Sequence, residues 1–278
     1  PNPTSYTYGE TVTLQSPPSR TGYTFGGWYE DYSCRYNPVS QISATDTGNK
    51  TFYALWTANT YTVRFDANGG DVTPASMDVT YNGDYSELPT LTRTGYTFDG
   101  WFTAADGGDQ ITADTKVQIT ADQTLCAHWT VKSYTITFNT NGGSEIAPIT
   151  QDYGTAITRP EKPTRTGYTF TGWDKTIPDT MLAENLTITA SWTANTYTVT
   201  FNAGSGTLVG DKTKTVTYDQ AYGKLPTATT TDETLVFLGW FTGSFGGEKV
   251  TEDTTVQITA DQTLFAHWQN VDTPYDLY

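Results

Sequence analysis

Basic residues, sulfur and imidazole are all scarce in this chain of 278 residues. Fifteen Lys and Arg face 30 Asp and Glu, giving a net charge of −15 and a pI near 4.3. A surface of that sign repels phosphate backbones and anionic lipid headgroups, so neither nucleic acid nor an acidic membrane is an expected partner. Two cysteines, Cys34 and Cys126, cannot build a disulfide framework. The two histidines, His128 and His267, have no Cys or His beside them in sequence to complete a zinc site. No apolar run approaches the roughly 20 residues a membrane helix needs, so no membrane insertion is expected of this segment. Leu, Met, Glu and Lys are sparse, and long helices are not expected. Pro1-Asn2-Pro3-Thr4-Ser5 lacks the basic and apolar stretches of a signal peptide. If the protein is secreted, its signal has been removed or lies outside this sequence.

Threonine and aromatic rings are abundant instead. The chain holds 58 Thr, 8 Trp, 19 Tyr and 12 Phe. These residues favour strands, and a ring-rich chain is not the composition of a disordered one. Length alone suggests two domains. Internal similarity changes that count.

Arg-Thr-Gly-Tyr-Thr-Phe-x-Gly-Trp ends at Trp28, Trp101 and Trp173, and a degenerate copy, Asp232 to Trp240, ends at the fourth. Each is followed by a strand-like run closed by a second tryptophan, at Trp56, Trp129, Trp192 and Trp268. These two positions in four copies account for all eight tryptophans. A third motif, Tyr-Thr-(Val/Ile)-x-Phe, begins at Tyr61, Tyr134 and Tyr197 and is missing from the first copy. The expected domains are an incomplete module over 1–57 lacking its first strand, then modules over 58–130, 131–194 and 195–269, with a tail over 270–278. The third is shortened by about nine residues, which correspond to the segment after Trp101. With linkers as short as Thr57-Ala58-Asn59-Thr60, an elongated, semi-rigid string of small modules is expected.

Within a unit the pattern is strand-like. Tyr61, Val63 and Phe65 alternate with Thr62 and Arg64, and Asn68-Gly69-Gly70 supplies a tight hairpin turn. Met77, Val79 and Tyr81 continue the alternation on a second strand. Phe98 and Trp101 have opposite strand parity, so one core can hold both only if a bulge intervenes. Gly100, with Gly27, Gly172 and Gly239 in the other copies, is the residue that permits it. The eight tryptophans are expected to be the structural core of the repeat, with Trp101 and Trp129 in one core.

With these motifs in fixed order, the chain resembles the Listeria–Bacteroides repeat family, which includes the B repeats of internalin-type surface proteins. The resemblance covers about 57–269 and the truncated copy at 1–56. It implies a mainly β fold (β-rich α+β) of tandem β-grasp, ubiquitin-like modules on bacterial secreted or cell-surface proteins. The role it implies is that of a spacer or an adhesive segment. The family carries no catalytic motif, so no site residue is transferred and neither enzyme activity nor a cofactor is expected.

Other features have plainer readings. His128 and His267 share one repeat position, where the other copies carry Leu55 and Ser191, which marks a strand residue rather than a catalyst or ligand. Asp66, Asn68 and Asp71 could suggest a calcium loop, but the other copies lose the carboxylates, which favours a turn. Leu88-Pro89-Thr90 and Leu225-Pro226-Thr227 resemble a sorting signal yet lie mid-repeat, and read as connections. Tyr29, Tyr32 and Tyr36 cluster after Trp28, and Tyr275 and Tyr278 end the chain; such rings stack on sugars or anchor proteins when exposed. The expected function is a non-catalytic stalk and adhesive region of an extracellular bacterial surface protein, its partner a host or neighbouring-cell protein or glycan. Two alternatives stand beside it: a filament subunit completed by a strand from another chain at the incomplete first module, and a carbohydrate-binding region of a secreted enzyme.

Overall fold

The computed structural model describes residues 2–271, and every regular element among them is a β-strand. The mainly-β class is therefore what the chain adopts. The helical component that a β-rich α+β fold allows is absent among the described residues. The tail expected over 270–278, with Tyr275 and Tyr278, lies outside the described residues from 272 onward.

The chain forms two compact units, Pro1–Lys132 and Ser133–Tyr278. Each holds the sheets of two repeats. In the first unit, repeat one contributes β1 (Val12–Thr13), β2 (Tyr23–Tyr29), β3 (Pro38–Val39), β4 (Gln41–Ile42) and β5 (Tyr53–Ala58). Repeat two contributes β6 (Thr60–Asp66), β7 (Ser76–Thr80), β8 (Tyr96–Phe102), β9 (Gln110–Ile111) and β10 (Gln123–Val131). In the second unit, repeat three has β11 (Ser133–Asn139), β12 (Ile149–Asp152), β13 (Tyr168–Trp173) and β14 (Leu186–Ala194). Repeat four has β15 (Thr196–Asn202), β16 (Thr207–Val209), β17 (Thr213–Thr217), β18 (Thr227–Thr229), β19 (Leu235–Phe241), β20 (Lys249–Val250) and β21 (Gln262–Asn270).

The second repeat sets the pattern with the sheet order β7-β6-β10-β8-β9. Its entering strand β6 and closing strand β10 lie side by side and parallel, Val63 opposite Gln123 and Phe65 opposite Leu125. Their outer neighbours β7 and β8 are antiparallel. The fourth repeat repeats this order and adds a small β16-β18 ribbon. The third has four strands, because the segment that would form the counterpart of β9 is missing. The first has only β3-β2-β5 and a separate β1-β4 pair.

Alternation puts one face of each sheet into a core. Val63, Val199 and Ile136 are at most 1% exposed, as are Leu125, Leu264 and Ile188 across the parallel ladder. Cores of this kind form in repeats two, three and four. In the first repeat no apolar side chain is buried to that depth among the described residues; Ile42, 7% exposed, is its one buried hydrophobic.

Candidate functional site: the joint between repeats

The repeated tryptophans and glycines meet at one bulge. In the second repeat Phe98 pairs with Trp129 and Gly100 with His128, leaving Asp99 as the extra residue. The other copies slip at the same place, next to Gly27, Gly172 and Gly239. All four glycines lie at φ between +121° and +143°, a region that disfavours other residues. The slip brings both rings to one face. Phe98 then packs edge-on to Trp101 (5.7 Å) and against Trp129 (5.3 Å), and the triads Phe25/Trp28/Trp56, Phe170/Trp173/Trp192 and Phe237/Trp240/Trp268 repeat the arrangement.

The eight tryptophans are not equally buried. Trp101 and Trp240 are 2% exposed, whereas Trp28, Trp56, Trp129, Trp173, Trp192 and Trp268 are half-buried. Trp173 opens because the third repeat has no strand like β9 beside it; in the full repeats Trp101 faces Ile111 and Trp240 faces Val250. Indole N–H groups tie the connections down. Trp101 and Trp240 donate to the carbonyls of Pro89 and Pro226 (both 2.7 Å), which gives the two Leu-Pro-Thr segments a structural task.

The remaining sequence candidates also resolve into scaffolding. His128 stacks flat on Phe102 (3.9 Å) with Nε2 2.9 Å from the Ala104 carbonyl, and His267 does the same with Phe241 and Gly243. Each histidine thus clamps the loop that follows the neighbouring strand, β8 or β19, and the third repeat, with Ser191, has no such loop to clamp. Asp66 accepts the Asn68 amide (2.9 Å), and Asn139 and Asn202 do the same for Asn141 and Gly204. An amide oxygen serves as well as a carboxylate there, so the loop works as an Asx turn. No cluster of three His, Cys, Asp or Glu suited to a metal is present among the described residues. Cys126 is buried, and that burial pushes its thiol pKa up. Tyr32 and Tyr36 are 85% and 69% exposed, on a loop whose backbone Asp31 gathers by accepting the Arg35 and Tyr36 amides.

One arrangement was not legible in the sequence. The Arg-Thr-Gly-Tyr turn, closed by Tyr23 N–H to Arg20 C=O (3.0 Å), holds Gly22 at φ +74°. A β-carbon there would fall 2.2 Å from the ring of Tyr81, which belongs to the next repeat. Tyr81 does not continue β7 into its own core, as alternation suggests; it caps the preceding repeat, edge-on to Tyr23 at 5.6 Å. In the second unit Gly167 stands 2.3 Å from Tyr218 by the same measure, and Tyr168 meets Tyr218 at 5.6 Å. Arg20 and Arg165 lie over the rings of Tyr23 and Tyr168 at 3.9 and 3.8 Å, holding the outer side of each socket.

The linker asparagine completes the joint. Asn59 N–H bonds to Gly22 C=O and Asn59 C=O receives Tyr81 N–H (both 2.9 Å), while its side chain accepts from Thr24 (2.6 Å). Asn195 makes the corresponding bonds to Gly167, Tyr218 and Thr169. The linker within each unit is thus hydrogen-bonded through, with a single residue between β5 and β6 and between β14 and β15. The fourth repeat has Asp232 and Thr234 at the arginine and glycine places, and Asp232 accepts both the Thr234 amide and hydroxyl. It keeps the turn, closed by Leu235 N–H to Asp232 C=O (3.1 Å), with no glycine at the socket position.

Acid reaches the second joint through Asp219. Its carboxyl is held below the ordinary carboxylate value first by the Tyr168 hydroxyl (2.8 Å) and then by the Gln257 amide (2.7 Å). The same bond to Asp219 is the main cause that raises Tyr168. A lowered acid stabilises the joint above its unfolded value and loses that contribution as pH falls through the folded one. The expected result is that the Asp219 side chain, followed by NMR, titrates below 3.8, with exchange at Asn195 N–H quickening only in that range. Titration at or above the ordinary value would remove Asp219 from the joint.

The Listeria-Bacteroides repeat domain matches residues 1–55, 61–128, 134–192 and 197–267. The chain belongs to the Listeria-Bacteroides repeat family. Two relatives are proteins of Evansella cellulosilytica provisionally named membrane proteins, the first of them Gly-rich. They are 33% and 29% identical over 93% and 94% of this chain, which cover 32% and 40% of their own lengths. Internalin H of Listeria monocytogenes is 36% identical over 144 residues, 49% of this chain and 25% of that protein. This Listeria-Bacteroides repeat chain therefore spans about a third of the length of the relatives that it matches most fully. No helix among its described residues is long and apolar enough to cross a membrane.

Proposed function

We propose that these repeats form a non-catalytic stalk of an extracellular bacterial surface protein, built to carry tension along the chain. The observation that supports it most is the parallel pairing of entering and closing strands in every complete repeat. The chain enters by one strand and leaves by its neighbour, so a pull along the chain shears that ladder and loads its hydrogen bonds together. A hairpin pulled from its open end would yield one bond at a time. The joint adds to this, because a bonded linker passes load from repeat to repeat without slack. The relatives named as membrane proteins and Internalin H agree with a surface location.

Pulling single molecules by their ends tests the reading. Repeats two, three and four should each yield abruptly and release roughly 200–250 Å of chain, the contour of 60–70 residues. Smooth extension at forces no higher than a hairpin needs would refute it. An adhesive contribution is a second reading, favoured by the exposed rings of Tyr32, Tyr36 and Phe245 (96% exposed). Loss of cell or glycan binding on replacing all three by Ala, with folding retained, is its expected signature; unchanged binding removes these rings from that role.

A further inference from the structure

The fourth repeat breaks a pattern that the second and third keep. Opposite the buried Val63 of β6 stands Met77, and opposite Ile136 of β11 stands Ile149; opposite Val199 of β15 stands Lys214. Met77 and Ile149 pack on their cores, whereas Lys214 brings an ammonium to the same face and is half-buried there. A cation in an aliphatic place costs stability, and such departures gather where a protein binds something. Lys214 forms part of the wall of a cavity of about 830 Å³. That volume lies within the roughly 300–1,000 Å³ of small-molecule sites.

The wall is mixed in character. Phe201, Val209, Leu225 and Pro226 give it apolar surface, Val209 being 49% exposed. One side is the open edge of the sheet, where β17 is the outermost strand. Phe201 N–H bonds to Lys212 C=O (2.8 Å), so ladder alternation turns the backbone N–H groups of Thr213 and Thr215 away from β15. Both residues line the cavity. Lys214 and Lys224 supply two ammonium groups, and neither forms an ion pair among the described residues. Lys214 Nζ donates to Lys224 C=O (2.6 Å), which leaves two of its three N–H donors. Lys212 adds a cation beside the rim, between Asp211 and Thr213. Against them stand Asp211 in the wall and Glu252, whose carboxylate accepts the Leu225 amide (3.3 Å). The local balance is cationic in a chain of net charge −15. At physiological salt, charges beyond about 8 Å are largely screened, so an isolated negative charge is accepted here while a dense polyanion meets the acidic remainder of the surface.

We propose that this cavity binds an acidic sugar, a carboxylate-bearing pyranose of a glycan chain. The carboxylate sits between Lys214 and Lys224. Ring hydroxyls bond the edge amides of Thr213 and Thr215 and the hydroxyl of Thr227, and the apolar face of the ring lies on Val209 and Pro226. Apolar surface beside ammonium groups and edge amides selects a sugar acid over a bare anion. The site rests on these residues alone and does not depend on whether the repeats carry tension.

The test titrates the intact protein with a hexuronate disaccharide and, separately, with its neutral hexose counterpart, acetate and glycerol phosphate. The expected result is saturable binding of the uronate at millimolar concentration or below, with NMR shifts confined to Val209–Thr215 and Lys224–Thr227. Lys214→Met restores the residue that the second repeat carries at this place, so the fold is retained. It should weaken uronate binding at least about tenfold, the worth of a charge-assisted hydrogen bond. Lys249→Gln, at the opposite edge of the same sheet, should leave binding unchanged. No saturable binding at millimolar uronate, or equal binding of the neutral sugar, would overturn the proposal. Equal binding of acetate or glycerol phosphate would reduce the site to anion pairing and overturn it as well. So would an unchanged affinity in Lys214→Met, or an equal loss in Lys249→Gln, which would trace binding to net charge.

Discussion

Trp101→Ala is expected to unfold the second repeat while the second unit keeps its native exchange pattern. The side chain is 2% exposed, packs tilted against Phe65 at 4.6 Å and edge-on to Phe98 at 5.7 Å, and donates to the Pro89 carbonyl. Truncating a buried tryptophan costs about 3–5 kcal/mol. A core of this size rarely supplies more than about 3–5 kcal/mol in total. The two figures are of the same size, so one substitution removes most of what holds the repeat. Trp173→Ala should cost clearly less, because that ring is only half-buried beside the missing hairpin. Amide exchange across residues 60–131 reads the difference. A loss below about 1 kcal/mol at Trp101 would mean that the ring triad is not the core.

Gly167→Val carries the second large effect, and it acts on the joint. The new side chain meets two penalties. It sits at φ +76°, where a β-carbon costs roughly 1–2 kcal/mol. It also points into Tyr218, whose ring lies 2.3 Å from the β-carbon position. Displacing that ring forfeits an aromatic contact of about 0.5–1.5 kcal/mol. The expected sum is about 2–3 kcal/mol, with faster cleavage of the linker around Asn195. A double variant with Tyr218→Ala separates the causes: if the clash is real, the second change adds almost nothing to the first. Full additivity would show that the two residues act independently.

Much of the repeat's interior was legible in the sequence because it obeys local rules. Phe98 and Trp101 stand at the wrong parity, which demanded a bulge, and a glycine lay between them. The joint was not legible, because each of its residues has a sufficient local explanation. Gly22 is accounted for by its turn, and Tyr81 continues a period-two pattern that points into its own core. Only the fold places Gly22 beneath Tyr81. The fourth copy carries a signal of the joint, since it loses the arginine, glycine and tyrosine together, with Asp232, Thr234 and Leu235 in their places, as residues with one shared task would. The parallel pairing of entering and closing strands was equally hidden, since it joins segments some 60 residues apart, as at Val63 and Gln123. Alternation fixes which face of a strand is buried and says nothing about its neighbour.

The central claim is that neighbouring repeats within a unit are locked by the glycine–tyrosine joint rather than strung on loose linkers. Hydrogen exchange at four amides tests it most directly: Asn59 and Tyr81 in the first unit, Asn195 and Tyr218 in the second. All four donate across or within the joint at 2.8–2.9 Å. The joint predicts that they exchange as slowly as their flanking strands, and that Tyr218→Ala releases Asn195 alone while leaving Asn59 protected. Exchange of Asn59 and Asn195 at the rate of a free peptide in the unaltered protein would contradict it.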